Sequence, residues 1–234
     1  MFNKTKKTGS ALAVGLVLAF GGNVAHATIT YVEDITTSTA IPGLTGFSTT
    51  GAMMNGMSVN AVFSGGTNQT LAWAATGATS GGVAGTNWGL SLTGDSFGGN
   101  WQFTIADPTG AMGQLTKLVL SGNSGYTVFD RTFNSATGTP GSALGMDFNF
   151  VSGFTGDATV TYSDIVSISP DPTVGDLFHV VTIDFAQQAG PGSAFSFVQD
   201  TDNDSRFGIP EPASLALMGL GLAGLAASRR RKLV

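Results

Sequence analysis

Three aspartates in the stretch QDTDNDS are the residues whose type and spacing most suggest a binding chemistry. Asp200, Asp202 and Asp204 offer carboxylate oxygens, the ligands that Ca²⁺ prefers, at the alternate spacing of many calcium loops. Glu211 is the twelfth residue from Asp200, where an EF-hand places its bidentate ligand, but Ser205 occupies the position that needs a turn glycine. The sequence therefore excludes an EF-hand. It leaves a calcium site in a β loop, or an acidic, solvated spacer before the C-terminal tail, and it predicts no other cofactor.

A catalytic centre finds little support in the sequence. The chain has two histidines, His26 and His179, and no cysteine, whereas a zinc site needs several such ligands and a Ser-His-Asp triad needs an available histidine. Two carboxylates could still serve a glycosidase, so a secreted glycan hydrolase remains an alternative, but we predict that the protein is not an enzyme. We expect His179 to be packed, because it shares a predicted strand face with Leu177, Val181, Ile183 and Phe185.

Charge excludes one large class of partners. Between residues 28 and 209 the chain carries three basic and fourteen acidic residues, a formal net charge of −11, against −5 for the whole chain. Such a surface repels phosphate backbones, so nucleic acid is excluded as a partner. Because the chain has no cysteine, packing must stabilise the domain without disulfides.

The central region has the sequence pattern of an all-β protein. Short alternating runs are separated by Gly, Ser, Asn and Asp, and no stretch has a helical period. We predict a single β-sandwich domain over residues 28–205, jelly-roll-like, with a β-barrel as the alternative. The small, polar segment 76–86 is expected to be a flexible loop. The predicted strands are 28–35, 57–63, 70–74, 87–93, 100–105, 114–120, 126–133, 146–150, 158–168, 177–185 and 194–199.

Two neighbouring strands, 87–93 and 100–105, have the clearest alternation, and the GDSFGG between them has the length of a hairpin loop. Each contributes one tryptophan to an apolar face. Aromatic faces can stack on sugar rings, but a tryptophan opposite a polar strand face is more often buried. We therefore expect these side chains in the core and keep a sugar-binding row as the alternative. They are Trp88, Leu90, Leu92, Trp101, Phe103 and Ile105.

Residues 1–27 have the three parts of a secretory signal peptide. Three lysines precede an apolar run over 11–20, and Ala25 and Ala27 frame an A-x-A cleavage site. The apolar run is too short to span a membrane, which favours removal over anchoring. We predict a mature N-terminus at Thr28.

Residues 206–234 also have three parts. Pro210, Glu211 and Pro212 predict a rigid, extended elbow, because proline fixes its own φ and restricts the residue before it. The uncharged run 213–227 predicts a membrane helix about 22 Å long, short of a hydrocarbon core of about 30 Å. The basic end keeps the C-terminus in the cytoplasm and so places the domain outside; its arginines are Arg229, Arg230 and Arg231.

The order of elbow, glycine-containing apolar helix and terminal arginines resembles the PEP-CTERM sorting signal of Gram-negative bacteria. The resemblance implies that an exosortase, a membrane protease, recognises the signal and removes the tail, with the inner membrane as a transient partner. Proteins with this signal tend to accompany exopolysaccharide and biofilm, so an exopolysaccharide or other envelope glycan is an implied partner. An ordinary tail anchor with an accidental Pro-Glu-Pro is the alternative.

These features predict an exported protein of the cell surface or extracellular matrix, held in the membrane as a precursor. Its expected role is structural or adhesive. The alternatives are a carbohydrate-binding module, assisted by calcium or using an aromatic face, and the glycan hydrolase.

Overall fold

The computed structural model describes residues 27–45, 48–131, 145–168 and 176–206. These residues form fourteen β-strands and two short 3₁₀ turns, Gly51–Met54 and Asn123–Gly125. The strands are β1 (Ile29–Ile41), β2 (Ser58–Phe63), β3 (Asn68–Ala72), β4 (Ala74–Ala75), β5 (Ser80–Gly85), β6 (Trp88–Thr93), β7 (Trp101–Ile105), β8 (Leu115–Ser121), β9 (Thr127–Asp130), β10 (Asn149–Ser152), β11 (Ala158–Ile168), β12 (Leu177–Ala189), β13 (Ala194–Val198) and β14 (Asp200–Asn203).

Two sheets pack together and confirm the prediction of an all-β domain. The first sheet has the order β1-β11-β12-β8-β2-β3, with β9 paired to β12 and β14 paired to β9. The second has the order β10-β13-β7-β6-β5-β4. Strands β1 and β11 are parallel, whereas the other strand pairs of the described residues are antiparallel.

The core between the sheets is aromatic. Trp88 stacks on Phe103 with 5.7 Å between ring centroids, and Trp101 stacks on Phe197 at 5.6 Å. The predicted hairpin is confirmed as β6 and β7, which pair with Trp88 opposite Ile105. The six side chains predicted to face inward are all buried, because alternation puts every second residue of a strand on the core side.

The prediction of a flexible loop over 76–86 is wrong in its second half, where β5 lies between β4 and β6. Glycine in this segment lets neighbouring parts of the chain come close to the strand backbone. A Cβ atom on Gly81 would lie 2.0 Å from the Gly51 carbonyl oxygen and 2.2 Å from Trp73 Nε1. Small residues in this segment therefore allow the backbone to pass against a tryptophan and a 3₁₀ turn. Their composition resembles that of a loop, although the segment forms a strand.

Several predicted features lie outside the described residues. These are the signal peptide up to residue 26, with Ala25, and the tail from residue 207 onwards, with its elbow, the apolar run 213–227 and the terminal arginines. Ala27 is the first described residue and is half-buried. Within the described ranges no helix has the length and hydropathy needed to cross a membrane.

Candidate functional site

The segment that leads to the tail is an integral part of the domain. β14 pairs antiparallel with β9, from Asp200 opposite Asp130 to Asn203 opposite Thr127, and all four of its residues are buried. The interpretation of 200–204 as a solvated spacer is therefore wrong. The reason is that the backbone completes a sheet, while the polar side chains find partners in the interior, where polar groups are tolerated only when hydrogen-bonded.

The inward-facing residues of β14 are bonded to two loops. Thr201 Oγ1 donates to Ser96 Oγ at 2.9 Å, and Ser96 Oγ in turn bonds Asp200 Oδ1 at 3.1 Å. Asn203 Oδ1 accepts a 2.9 Å bond from Thr49 Oγ1. These bonds fix β14 against the segments that precede β2 and β7.

Gln199, immediately before β14, connects it to the main core. Its Oε1 accepts a 2.6 Å bond from the Tyr162 hydroxyl, and its backbone oxygen accepts a 3.0 Å bond from Trp101 Nε1. Its Nε2 donates to the Met146 carbonyl at 3.1 Å. The C-terminal end of the domain is thus anchored to both sheets through one glutamine.

The carboxyl of Asp200 is strongly perturbed by its surroundings. Burial, together with the negative charge of Asp202, raises the pKa of Asp200 to about 7, although bonds from Ser96 Oγ and the Thr201 amide act in the opposite direction. A neutral carboxyl is easier to bury than a carboxylate. Asp200 therefore changes charge near neutral pH in the folded protein.

The three aspartates proposed for calcium differ in their surroundings. The Asp204 carboxylate accepts bonds from Arg206, at 2.9 Å from its backbone amide and 2.7 Å from Nε. Across the part of the chain that the structure describes, no group of three or more His, Cys, Asp or Glu residues is arranged to hold a metal ion. The calcium site at Asp200, Asp202 and Asp204 stays a prediction.

His179 is fully buried, as expected for a packed residue. Its Nδ1 lies 3.3 Å from Asp164 Oδ2, and Thr39 Oγ1 donates to Asp164 Oδ1 at 2.9 Å. Burial lowers the pKa of His179, while the charge of Asp164 acts to raise it. The predicted shared face is wrong in part, because Leu177 packs in a separate small cluster with Ile41, whereas the other three apolar residues named with it lie in the main core.

Arg131 organises a site that the sequence did not reveal. Its Nη1 lies 2.5 Å from Glu33 Oε1 and its Nε lies 2.7 Å from Asp147 Oδ1. Its guanidinium lies 4.4 Å from the Tyr162 ring centroid and 5.5 Å from that of Tyr31. The site ties the exposed β1 to the domain. The sequence offered one indication of this site: Arg131 is one of three basic residues between residues 28 and 209.

Neither of the tryptophans proposed for sugar stacking is available at the surface, since Trp88 is 4% exposed and Trp101 is fully buried. A cavity of 190 Å³ lies elsewhere, at the β10–β11 turn and the end of β12. Its lining includes Phe154, Thr155 and Gln187. The Phe154 ring packs against Phe150 and Phe185. The amide of Gln187 and the hydroxyl of Thr155 are therefore the groups that could bind a sugar, although the volume is small for a ligand site.

The domain and the tail are separated by very little chain. The Ser205 amide donates to the Gly43 carbonyl at 2.9 Å, and Arg206 is held by Asp204. Pro210 follows Arg206 by four residues, so at most about 14 Å of extended chain separates the two.

Fold and tail define a class: a two-sheet β domain that ends directly at a C-terminal processing signal. The family model of the PEP-CTERM protein-sorting motif matches residues 208–232. The chain thus carries a PEP-CTERM protein-sorting motif, which implies export of the domain and sorting of a membrane-anchored precursor. No curated protein and no solved structure matches the chain.

Proposed function

We propose that the protein is a structural or adhesive component of the cell surface or extracellular matrix, delivered by an exosortase and associated with exopolysaccharide and biofilm. The observation that carries the proposal is the sorting motif at 208–232, placed directly after a folded domain. The signal peptide over 1–27, cut after Ala27, supplies export, and the exosortase reads Pro210, Glu211 and Pro212. The helix over 213–227 and the arginines from Arg229 to Arg231 hold the precursor in the inner membrane until the tail is removed.

The domain's charge is compatible with a soluble protein that avoids anionic partners. With a net charge of −11 over residues 28–209 it is well solvated and repels anionic lipid and nucleic acid. We also propose a jelly-roll-like topology. Among the described strands the chain passes between the sheets six times, as in a jelly roll, although β4 to β7 follow one another as a meander. The crossings are β3–β4, β7–β8, β9–β10, β10–β11, β12–β13 and β13–β14.

A carbohydrate-binding module is the second candidate, and the cavity at Phe154, Thr155 and Gln187 favours it. The test is binding of the organism's own exopolysaccharide to the wild-type protein and to Gln187→Ala. Loss of binding in the variant supports the module. Equal binding by both proteins, or none by either, removes this cavity as a sugar site.

We propose that the protein is not an enzyme and needs no cofactor. Full burial of His179 supports this, since a base must reach the proton that it abstracts. Release of sugars from the organism's polysaccharide by the purified protein would refute it and favour the hydrolase. A higher melting temperature in Ca²⁺ than in chelator, abolished by Asp202→Asn, would instead establish calcium binding at Asp200, Asp202 and Asp204.

The sorting proposal itself is tested in a host with and without an exosortase. We expect the surface protein to lack its tail only in the host that has the protease. Identical masses in both hosts would favour the plain tail anchor.

A further inference from the structure

The surface around the chain exit has a defined composition. We name as the exit surface residues 42–45, Tyr126 and Arg206, which surround the last described residues. Thr45 donates its amide to the Asn203 carbonyl at 2.8 Å, and the Asp204 amide donates to Tyr126 O at 2.8 Å. The exit surface is therefore bonded to the final strand and moves with it.

The exit surface is firmly attached to the core through β14. Freeing residues 200–205 would break the pairing with β9 and expose polar groups that are now bonded to Ser96, Thr49 and Gly43. Each buried polar group that loses its partner costs about 1–3 kcal/mol. The chain therefore stays folded through Arg206 when a partner takes the tail.

A short tether then forces proximity. A protease that binds Pro210–Glu211–Pro212 in extended form stands within about 14 Å of the Arg206 Cα. A domain of this length has a radius of gyration of about 16 Å. The tether is thus shorter than the domain itself is wide, and the domain cannot turn a distant face towards the protease.

We propose that the exit surface docks on the extracytoplasmic face of the exosortase while the tail is being processed; this rests on the proposed sorting function. The composition fits a protein partner. Arg206 lies 5.4 Å from the Tyr126 ring centroid, and the charge of Arg206 is balanced by Asp204. Arginine and tyrosine are enriched in the energetically important parts of protein interfaces, and the acidic domain disfavours anionic lipid.

The chain has no cysteine, so single cysteines can report contacts. We would place a benzophenone-maleimide on Thr45→Cys, and separately on Pro42→Cys, in the full-length precursor; both residues are exposed. The matched control is Thr155→Cys, which is exposed and lies in the turn beside Gln187. Phe178 of β12 pairs with β9, next to the exit surface. Gln187 lies nine residues further along β12, so about 30 Å of strand separates Gln187 from Phe178.

A catalytically inactive exosortase traps the complex. We expect Thr45→Cys and Pro42→Cys to crosslink to the exosortase at least ten times more than Thr155→Cys. The ratio should persist after insertion of sixteen Gly/Ser residues between Arg206 and Phe207, because a docked surface stays bound when the tether no longer forces it close. Equal crosslinking without the insertion, crosslinking to lipid alone, or a ratio that falls to one on insertion would each overturn the proposal.

The mass of the surface protein, measured in cells with active exosortase, separates this inference from the proposed function. A tail that is never removed refutes sorting itself. A tail removed normally, together with a crosslinking ratio near one, refutes only the docking surface.

Discussion

Asp200→Asn tests whether the end of the domain is a buried, titrating segment. The Asp200 side chain is 4% exposed, and its pKa is raised to about 7 by burial and by Asp202. Asparagine has the shape of the neutral acid and keeps the oxygen that accepts from Ser96 Oγ and the Thr201 amide. The substitution therefore removes the titration and leaves these hydrogen bonds in place.

The sign of the effect follows from proton binding. Between pH 4 and pH 7 the folded state holds a proton on Asp200 that the unfolded state has released, so stability falls as pH rises in this window. The contribution of this group is fully present below the unfolded pKa and is lost as pH passes through about 7. With a shift from 3.8 to about 7, the loss between pH 5 and pH 8 is about 3 kcal/mol.

The assay is urea unfolding of the purified, tail-free protein at pH 5 and pH 8, followed by tryptophan fluorescence. Wild-type protein should lose about 3 kcal/mol more than Asp200→Asn between these two pH values. The control is Asp184→Asn, whose carboxylate is half-exposed and paired with Lys117 at 3.1 Å; its pH dependence should match wild type to within about 1 kcal/mol. Parallel pH profiles for wild type and Asp200→Asn would refute the account of this segment.

Four other changes have defined outcomes. Trp101→Ala should lower the free energy of unfolding by about 3–5 kcal/mol, because it removes a fully buried ring from the core; an unchanged melting curve would show that the ring is not core. Arg131→Gln should cost about 1–2 kcal/mol in urea unfolding, because it removes a guanidinium that pairs with the partly exposed Glu33 and Asp147 and lies over the Tyr162 ring, and a wild-type midpoint would contradict the anchoring role. Gly81→Ala should cost about 1–3 kcal/mol through its clash with the Gly51 carbonyl oxygen and Trp73, whereas Gly77→Ala, with 3.6 Å to its nearest neighbour, should be nearly neutral; equal melting temperatures would refute this. Glu211→Ala should leave export intact and yield an uncleaved, membrane-held precursor, seen by mass, while normal cleavage would remove Glu211 from the recognition element.

Sequence reasoning succeeded where the period of the pattern reflects burial on one side. The alternation around Trp88 and Trp101 predicted β6 and β7 with the correct inward face, and 158–168 agrees with β11. Strict alternation of apolar and polar residues indicates a β-strand with one face buried.

The same reasoning failed where an interior position is filled by polar or very small residues. Gly81 is required by the nearby Gly51 carbonyl and Trp73. Asp200 is tolerated because it is hydrogen-bonded and because burial raises its pKa. The roles of Gly81 and Asp200 depend on contacts with residues that are distant in the chain, and such contacts cannot be inferred from local composition. Arg131 is similar, since its partner Glu33 is 98 residues away.

The mass of the surface protein from a host that has the exosortase tests the central claim most directly. The account predicts a protein that begins at Thr28 and lacks the apolar run 213–227 and the arginines that follow it. A mass that still includes the whole tail would contradict it.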